Sequence, residues 1–180
     1  MLSGAGLLRV PRCAGFTLIE LMITVAILAT LVTLGLPSFR QMLRNYEVRA
    51  AAESVSNGLQ RARAEAVAHN TKVYFKLTGG TSWTVNYVTG PVNPALDSRS
   101  SSEGSPDVAL AVTPSTATTV TYSNLGQAVA NADASATPTQ MDFNATAAGA
   151  TQTLRVLIGV GGGARVCDPS LPSGNPRACS

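Results

Sequence analysis

The sequence predicts an α+β protein, with one long N-terminal helix followed by an antiparallel β domain. Three observations carry this. Residues 16–36, FTLIELMITVAILATLVTLGL, form an apolar run interrupted only by Glu20 and threonines. Residues 39–66 then keep apolar side chains at three- and four-residue spacing, the period of a helix. From Thr71 onward the period changes to two, the period of a strand.

The apolar run has 21 residues, and a bilayer needs about 20. It exceeds the roughly 7–15 apolar residues of a secretory signal, so a transmembrane helix is the stronger reading. Gly35 and Pro37 predict a bend or weak point at its end. Helical spacing resumes through Phe39, Leu43, Tyr46, Ala50, Ala52, Val55, Leu59, Ala62 and Ala66, predicted to be a stripe buried on a globular domain. Arg49/Glu53 and Arg61/Glu65 sit four apart on the other faces. Gly58 is expected to be a second soft point, and His69-Asn70 the stop. The expected helix runs from Phe16 to Ala68, which at the usual rise per residue is ~80 Å.

In the β region, Val73, Phe75 and Leu77 alternate with Tyr74 and Lys76, and Trp83, Val85 and Tyr87 with Thr84 and Asn86. Gly79-Gly80 between them suits a hairpin turn. Further strands are expected at Val108–Val112, Thr119–Tyr122, Gln140–Phe143, Leu154–Gly159 and Ala164–Cys167. Residues 89–107 and 131–139, rich in Pro, Ser, Asn or Ala, read as surface loops. The segments expected are thus 1–15, the transmembrane 16–36, the amphipathic 37–69 and the β domain 70–180.

Gly15-Phe16-Thr17-Leu18-Ile19-Glu20-Leu21, opening an apolar 21-mer that Pro37 closes, resembles the processing site of type IV prepilins and type II secretion pseudopilins. The resemblance implies that residues 1–15 are a leader cut after Gly15 by a prepilin peptidase, which then methylates the new amine on Phe16. It also implies that Glu20 serves assembly with other pilins or pseudopilins. The stretch Leu59–Asn70 leading into Lys72-Val73-Tyr74-Phe75, Trp83, and Val120–Gly126 are similar to the GspH pseudopilins and the FimT and FimU minor pilins. So is the C-terminal part, from Leu154-Arg155-Val156 through Arg165-Val166-Cys167-Asp168-Pro169 to Pro176-Arg177-Ala178-Cys179. That family implies a β-sandwich-like head of two antiparallel sheets packed on the helix. It also implies a minor subunit at the tip of a pseudopilus or type IV pilus.

Glu20 carries physical weight of its own. A charge at mid-bilayer costs about 3 kcal/mol on insertion scales and marks function by default. Near the end of the span the cost is lower, but the carboxylate needs a partner. A freed amine at Phe16 would be one.

Loss of residues 1–15 would take Arg9 and Arg12 from the 13 basic side chains, leaving 11 against 10 acidic. The sequence pI of about 9.0 therefore overstates the basicity of the processed chain. Cys13 would leave with the leader. Cys167 and Cys179 suit one disulfide in an oxidising compartment, or else two free thiols. Basic residues flank the apolar run on both sides, so charge does not orient it. A disulfide would place the C-terminal domain in the periplasm, with the chain a single-pass protein of the inner membrane, in contact with its lipid.

Some FimT-like pilins bind DNA through a C-terminal Gly-Arg-x-Arg element. The corresponding stretch here is Gly162-Gly163-Ala164-Arg165, with Gly163 in place of the first arginine. Arg165, Arg177 and Arg155 are the candidate DNA contacts, and that departure keeps DNA as the second choice of partner. No enzyme constellation is read. His69 is the only histidine and sits at a helix end. Gly159–Gly163 lacks the helix and lysine of a phosphate loop. Trp83 and Tyr87 read as core. Neither a cofactor nor a metal is expected.

Overall fold

The computed structural model describes residues 15–89, 95–146 and 152–179. The expected leader's Arg9, Arg12 and Cys13 lie outside the described residues, as do 90–94 of the predicted 89–107 loop. The chain divides into two compact units, one ending at Ser38 and one beginning at Phe39.

Helix α1 (Leu18–Ala68) passes through Pro37 uninterrupted. Leu18, Ile19, Leu21, Ile27, Leu28 and Leu31 are each more than half exposed, as suits lipid-facing residues. The run's threonines are satisfied inside the helix. Thr24 Oγ1 donates to the Leu21 carbonyl at 2.9 Å and Thr33 Oγ1 to the Thr30 carbonyl at 2.8 Å. Such back-bonding removes a cost that a free hydroxyl would carry in hydrocarbon.

Among the described residues the second unit holds the rest of α1 and nine strands. They are β1 (Val73–Gly79), β2 (Ser82–Tyr87), β3 (Asp97–Arg99), β4 (Val108–Thr113), β5 (Thr119–Tyr122), β6 (Ala128–Val129), β7 (Gln140–Ala145), β8 (Thr153–Ile158) and β9 (Ala164–Cys167). Two antiparallel sheets result, in the orders β3-β2-β1-β5-β6 and β4-β7-β8-β9. The β1–β2 hairpin pairs Phe75 with Val85 and Leu77 with Trp83, and turns through Gly80 at φ 53°. Two strands were not foreseen. β3 lies inside the predicted 89–107 loop, and its Asp97-Ser98-Arg99 carries no apolar pattern because among the described residues it is an edge strand held by β2. β6, two residues long, completes the other edge.

One core joins α1 to both sheets. The buried face of α1 is Val48, Ala51, Ala52, Val55, Leu59, Ala62 and Ala66, with Ser54, Ser56 and Gly58 among them. The predicted stripe is therefore right from Ala52 onward and wrong before it. Phe39, Leu43 and Tyr46 are 55%, 45% and 57% exposed. The head covers only the later turns of the helix, and helical period alone does not say where coverage begins. The two ion pairs at four-residue spacing form, Arg49–Glu53 at 3.2 Å and Arg61–Glu65 at 2.8 Å.

Gly58 is not a soft point. A β-carbon there would lie 2.8 Å from Phe75 Cε2 and 3.0 Å from the Trp83 ring, so glycine is what lets the helix meet these two rings. The rings pack at 5.6 Å between centroids. Trp83 Nε1 donates to Ser54 Oγ at 2.9 Å, which satisfies the one polar group of a buried indole. The helix stops at Ala68 because Asn70 takes a left-handed φ of 49°. Thr71 N then donates to the Ala66 carbonyl at 3.1 Å, the closing bond of a Schellman motif. His69 caps this end, its Nε2 3.2 Å from Glu65 and its ring edge-on to Tyr87.

Candidate functional site

The first candidate region is the start of α1. Thr17 precedes the first helical residue, and its Oγ1 accepts from the Glu20 N–H at 3.2 Å. Thr17 is thus the N-cap and Glu20 the third helical residue, the sequence Thr-x-x-Glu of a capping box. This role of Thr17 was legible in the spacing and was missed. The Glu20 carboxylate sits where the unpaired N–H groups of the first turn favour negative charge. Among the described residues it has neither a hydrogen bond nor an ion pair of its own. Phe16, one residue before the cap, is 83% exposed. Gly15 has open space where a β-carbon would stand.

The second region is the C-terminal tail. Cys167, the last residue of β9, is bonded to Cys179, with their Cα atoms 5.1 Å apart. Inside that loop Asp168 N donates to the Arg177 carbonyl at 2.7 Å. Asp168 Oδ1 accepts from Ser170 N at 2.9 Å and from its Oγ at 2.6 Å. Ala178 N donates to the Asn175 carbonyl at 3.0 Å. The tail is a hydrogen-bonded loop fastened at both ends.

The three arginines considered for a basic patch meet different environments. Arg155 Nε lies 2.6 Å from Asp142 Oδ1, because the β7–β8 register sets Asp142 opposite Arg155. Asp142 also accepts from Gln140 Nε2 at 2.6 Å. Arg155 is therefore a neutralised strand pair rather than a free cation. Arg165 donates to the Ala178 carbonyl and braces the tail. Arg177 lines a groove shared with Arg49, Glu53, Gln152 and Asp168, where two carboxylates offset two guanidiniums.

Of the described titrating groups in the head, two shift clearly. Burial pushes the Tyr122 phenol up to about 12, with Arg63 acting against it. Hydrogen bonds from the Ser135 side chain and backbone hold the Asp133 carboxyl below its ordinary value. Among the described residues no three His, Cys, Asp or Glu side chains gather as metal ligands.

Comparison with known proteins places these features in a lineage. The pattern of the prokaryotic N-terminal methylation motif matches residues 10–36. The pattern of the type II transport protein GspH matches residues 51–167. No curated protein sequence matches significantly. Among solved structures, the chain is similar to the type IV minor pilin FimU of Pseudomonas aeruginosa strain PAO1 in two crystal forms. In space group P21 the identity is 18%, covering 74% of this chain and 96% of that chain at a TM-score of 0.51. In space group P65 the identity is 18%, covering 73% and 99% at a TM-score of 0.49. At this identity the first likeness shows the shared fold, a long N-terminal helix packed on antiparallel sheets.

Proposed function

The chain belongs to the GspH family of type II transport proteins and carries the N-terminal methylation motif of pilins, and we propose that it is a minor subunit of a pseudopilus. In this reading a prepilin peptidase cuts between Gly15 and Phe16 and methylates Phe16. The processed chain stays in the inner membrane by the exposed apolar half of α1, with its head in the periplasm. It then joins other pilin-like subunits at the filament tip. The family's description as a type II transport protein supports protein secretion as the machine served.

The observation that carries the reading is the state of Glu20. Its carboxylate stands in the first turn of the apolar helix and has no partner among the described residues, four positions from the proposed new amine. Cleavage creates a cation at nearly the same depth in the membrane. A neighbouring subunit's amine can then pair with this carboxylate, and a buried charge is much less costly paired than alone. Processing and assembly competence become linked by one ion pair.

Expression of Glu20→Val in a strain that makes the filament tests this. Cleavage continues, and co-purification with the other subunits is lost. Normal co-purification would overturn the reading. Loss of protein secretion on deletion of the gene, with pili intact, is the expected result for the machine assigned. DNA capture stays second, since Arg155 is paired with Asp142 and Arg177 shares its groove with Glu53 and Asp168.

A further inference from the structure

The face of β1 turned away from the core carries Tyr74 and Lys76, set between the buried Val73, Phe75 and Leu77. Register with β5 places Tyr74 opposite Thr121 and Lys76 opposite Thr119. Both threonines are buried, although it is Val120 and Tyr122 of their strand that join the core. The segment after β6 covers them. Its buried Asn131 accepts from Thr121 Oγ1 at 2.8 Å, and Asn131 Nδ2 donates to the carbonyls of Thr119 at 2.9 Å and Ser135 at 3.0 Å. Ala134 takes a left-handed φ of 57°, and its N–H donates to the Asn131 carbonyl at 3.0 Å, which closes the turn.

A cleft of about 230 Å³ lies against this sheet face, lined by Tyr74, Lys76, Val88, Thr119, Thr121 and Asp133. Asp133 Oδ1 accepts from Ser135 N at 3.0 Å and from Ser135 Oγ at 2.6 Å. These bonds fix the carboxylate and hold its carboxyl below its ordinary value, while its other oxygen takes no bond from another described residue. The Lys76 charge acts on Asp133, yet among the described residues Lys76 has no ion pair. A cation and an anion thus line one cleft without meeting. The Thr119 side chain is more than nine-tenths buried, and its hydroxyl has only a 3.5 Å contact with the Thr118 hydroxyl. Tyr74 and Val88 supply the apolar wall.

We propose that this cleft is a saccharide site that takes one sugar ring at a time. It is smaller than the ~300–1,000 Å³ of clefts that hold drug-sized ligands, so a single ring suits it. A hydroxyl both donates and accepts. Neighbouring ring hydroxyls therefore serve the Asp133 carboxylate and the Lys76 ammonium together, in charge-assisted hydrogen bonds. A further hydroxyl answers Thr119, and the apolar face of the ring lies on Tyr74 and Val88. A zwitterionic amino acid would also meet the two charges. Ion pairs open to water contribute little, however, and it brings no ring to the aromatic wall. The cleft is rigid before any ligand arrives, which lowers the entropy lost on binding. The site stands independently of the filament reading.

Saturation-transfer NMR on the full-length chain, in a polyoxyethylene detergent that carries no sugar, tests the proposal. The probes are N,N′-diacetylchitobiose and maltose, with alanylalanine as the zwitterion. Saturation is expected to reach the ring C–H protons of at least one disaccharide. Asp133→Asn keeps an acceptor for Ser135 and loses the charge, and it should weaken binding about tenfold. Lys76→Met should act in the same direction, whereas Lys72→Met, outside the cleft, should change nothing. Trp83 fluorescence melts report whether each variant is folded. Transfer to neither disaccharide would overturn the proposal, as would binding that both cleft variants leave at full strength. Transfer to alanylalanine alone would overturn the sugar as occupant. Transfer to one disaccharide, lost in the cleft variants, supports the proposal and names the preferred ring.

Discussion

The Tyr122 hydroxyl is buried beneath Gly162, whose missing β-carbon would lie 3.1 Å from the Tyr122 ring. Among the described residues that hydroxyl has no hydrogen-bond partner. Both facts belong to one contact, in which the β8–β9 loop seals the phenol from water.

That seal predicts an alkaline weakness. The phenol titrates near 10 when unfolded and at about 12 in the fold. Below pH 10 both states hold the proton and nothing is lost. Between pH 10 and 12 the unfolded chain releases it and the folded one does not, so stability falls as pH rises. The loss tends toward ~3 kcal/mol. Tyr122→Phe removes the effect and leaves no unsatisfied hydroxyl. Urea midpoints of both proteins at pH 9 and 12 check this, the variant losing less.

Gly58→Ala tests the close approach of α1 to the hairpin. Alanine is worth about 1 kcal/mol more than glycine in a helix interior. Here its methyl would press on Phe75 and Trp83 at 2.8 and 3.0 Å. Overpacking of this kind costs about 1–3 kcal/mol. A net loss near 1 kcal/mol is expected in Trp83 fluorescence melts, and a gain would refute the packing argument.

The disulfide predicts a stability difference that depends on reductant. Cys167 and Cys179 are 12 residues apart, and closing such a loop contributes about 3 kcal/mol in the chain-entropy account. The double variant Cys167→Ser, Cys179→Ser should unfold at lower urea, by roughly that amount, and be indifferent to dithiothreitol. The intact chain should respond to it.

Thr17→Val separates capping from charge at the start of α1. It removes the acceptor for the Glu20 N–H but keeps the carboxylate. Loss of an N-cap costs about 1 kcal/mol of local helix stability. Filament incorporation should fall only slightly, whereas Glu20→Gln, which keeps the helix and loses the charge, should abolish it. Equal effects of the two variants in a co-purification assay would assign Glu20 to the cap.

Much of the fold could be read directly. The apolar run, the i,i+4 ion pairs and the Asn70 stop are local features, written in neighbours three or four residues apart. Strands β1 and β2 were legible because Val73, Phe75 and Leu77, and Trp83 and Val85, alternate on either side of Gly79-Gly80. β3 was not, because an edge strand held on one side needs no apolar face. The pairing of Arg155 was not legible, because Asp142 reaches it through the register of two strands.

By itself the sequence determined the anchor, the helix and its end, the order of most strands and the motif at Gly15-Phe16…Glu20. These depend on local propensity and on period, which neighbouring residues encode. Only the tertiary structure decided which turns of α1 the head covers, why Gly58 is glycine, and that Arg155 is already paired. Each depends on residues far apart in the chain, brought together by sheet register and packing, which no local pattern records.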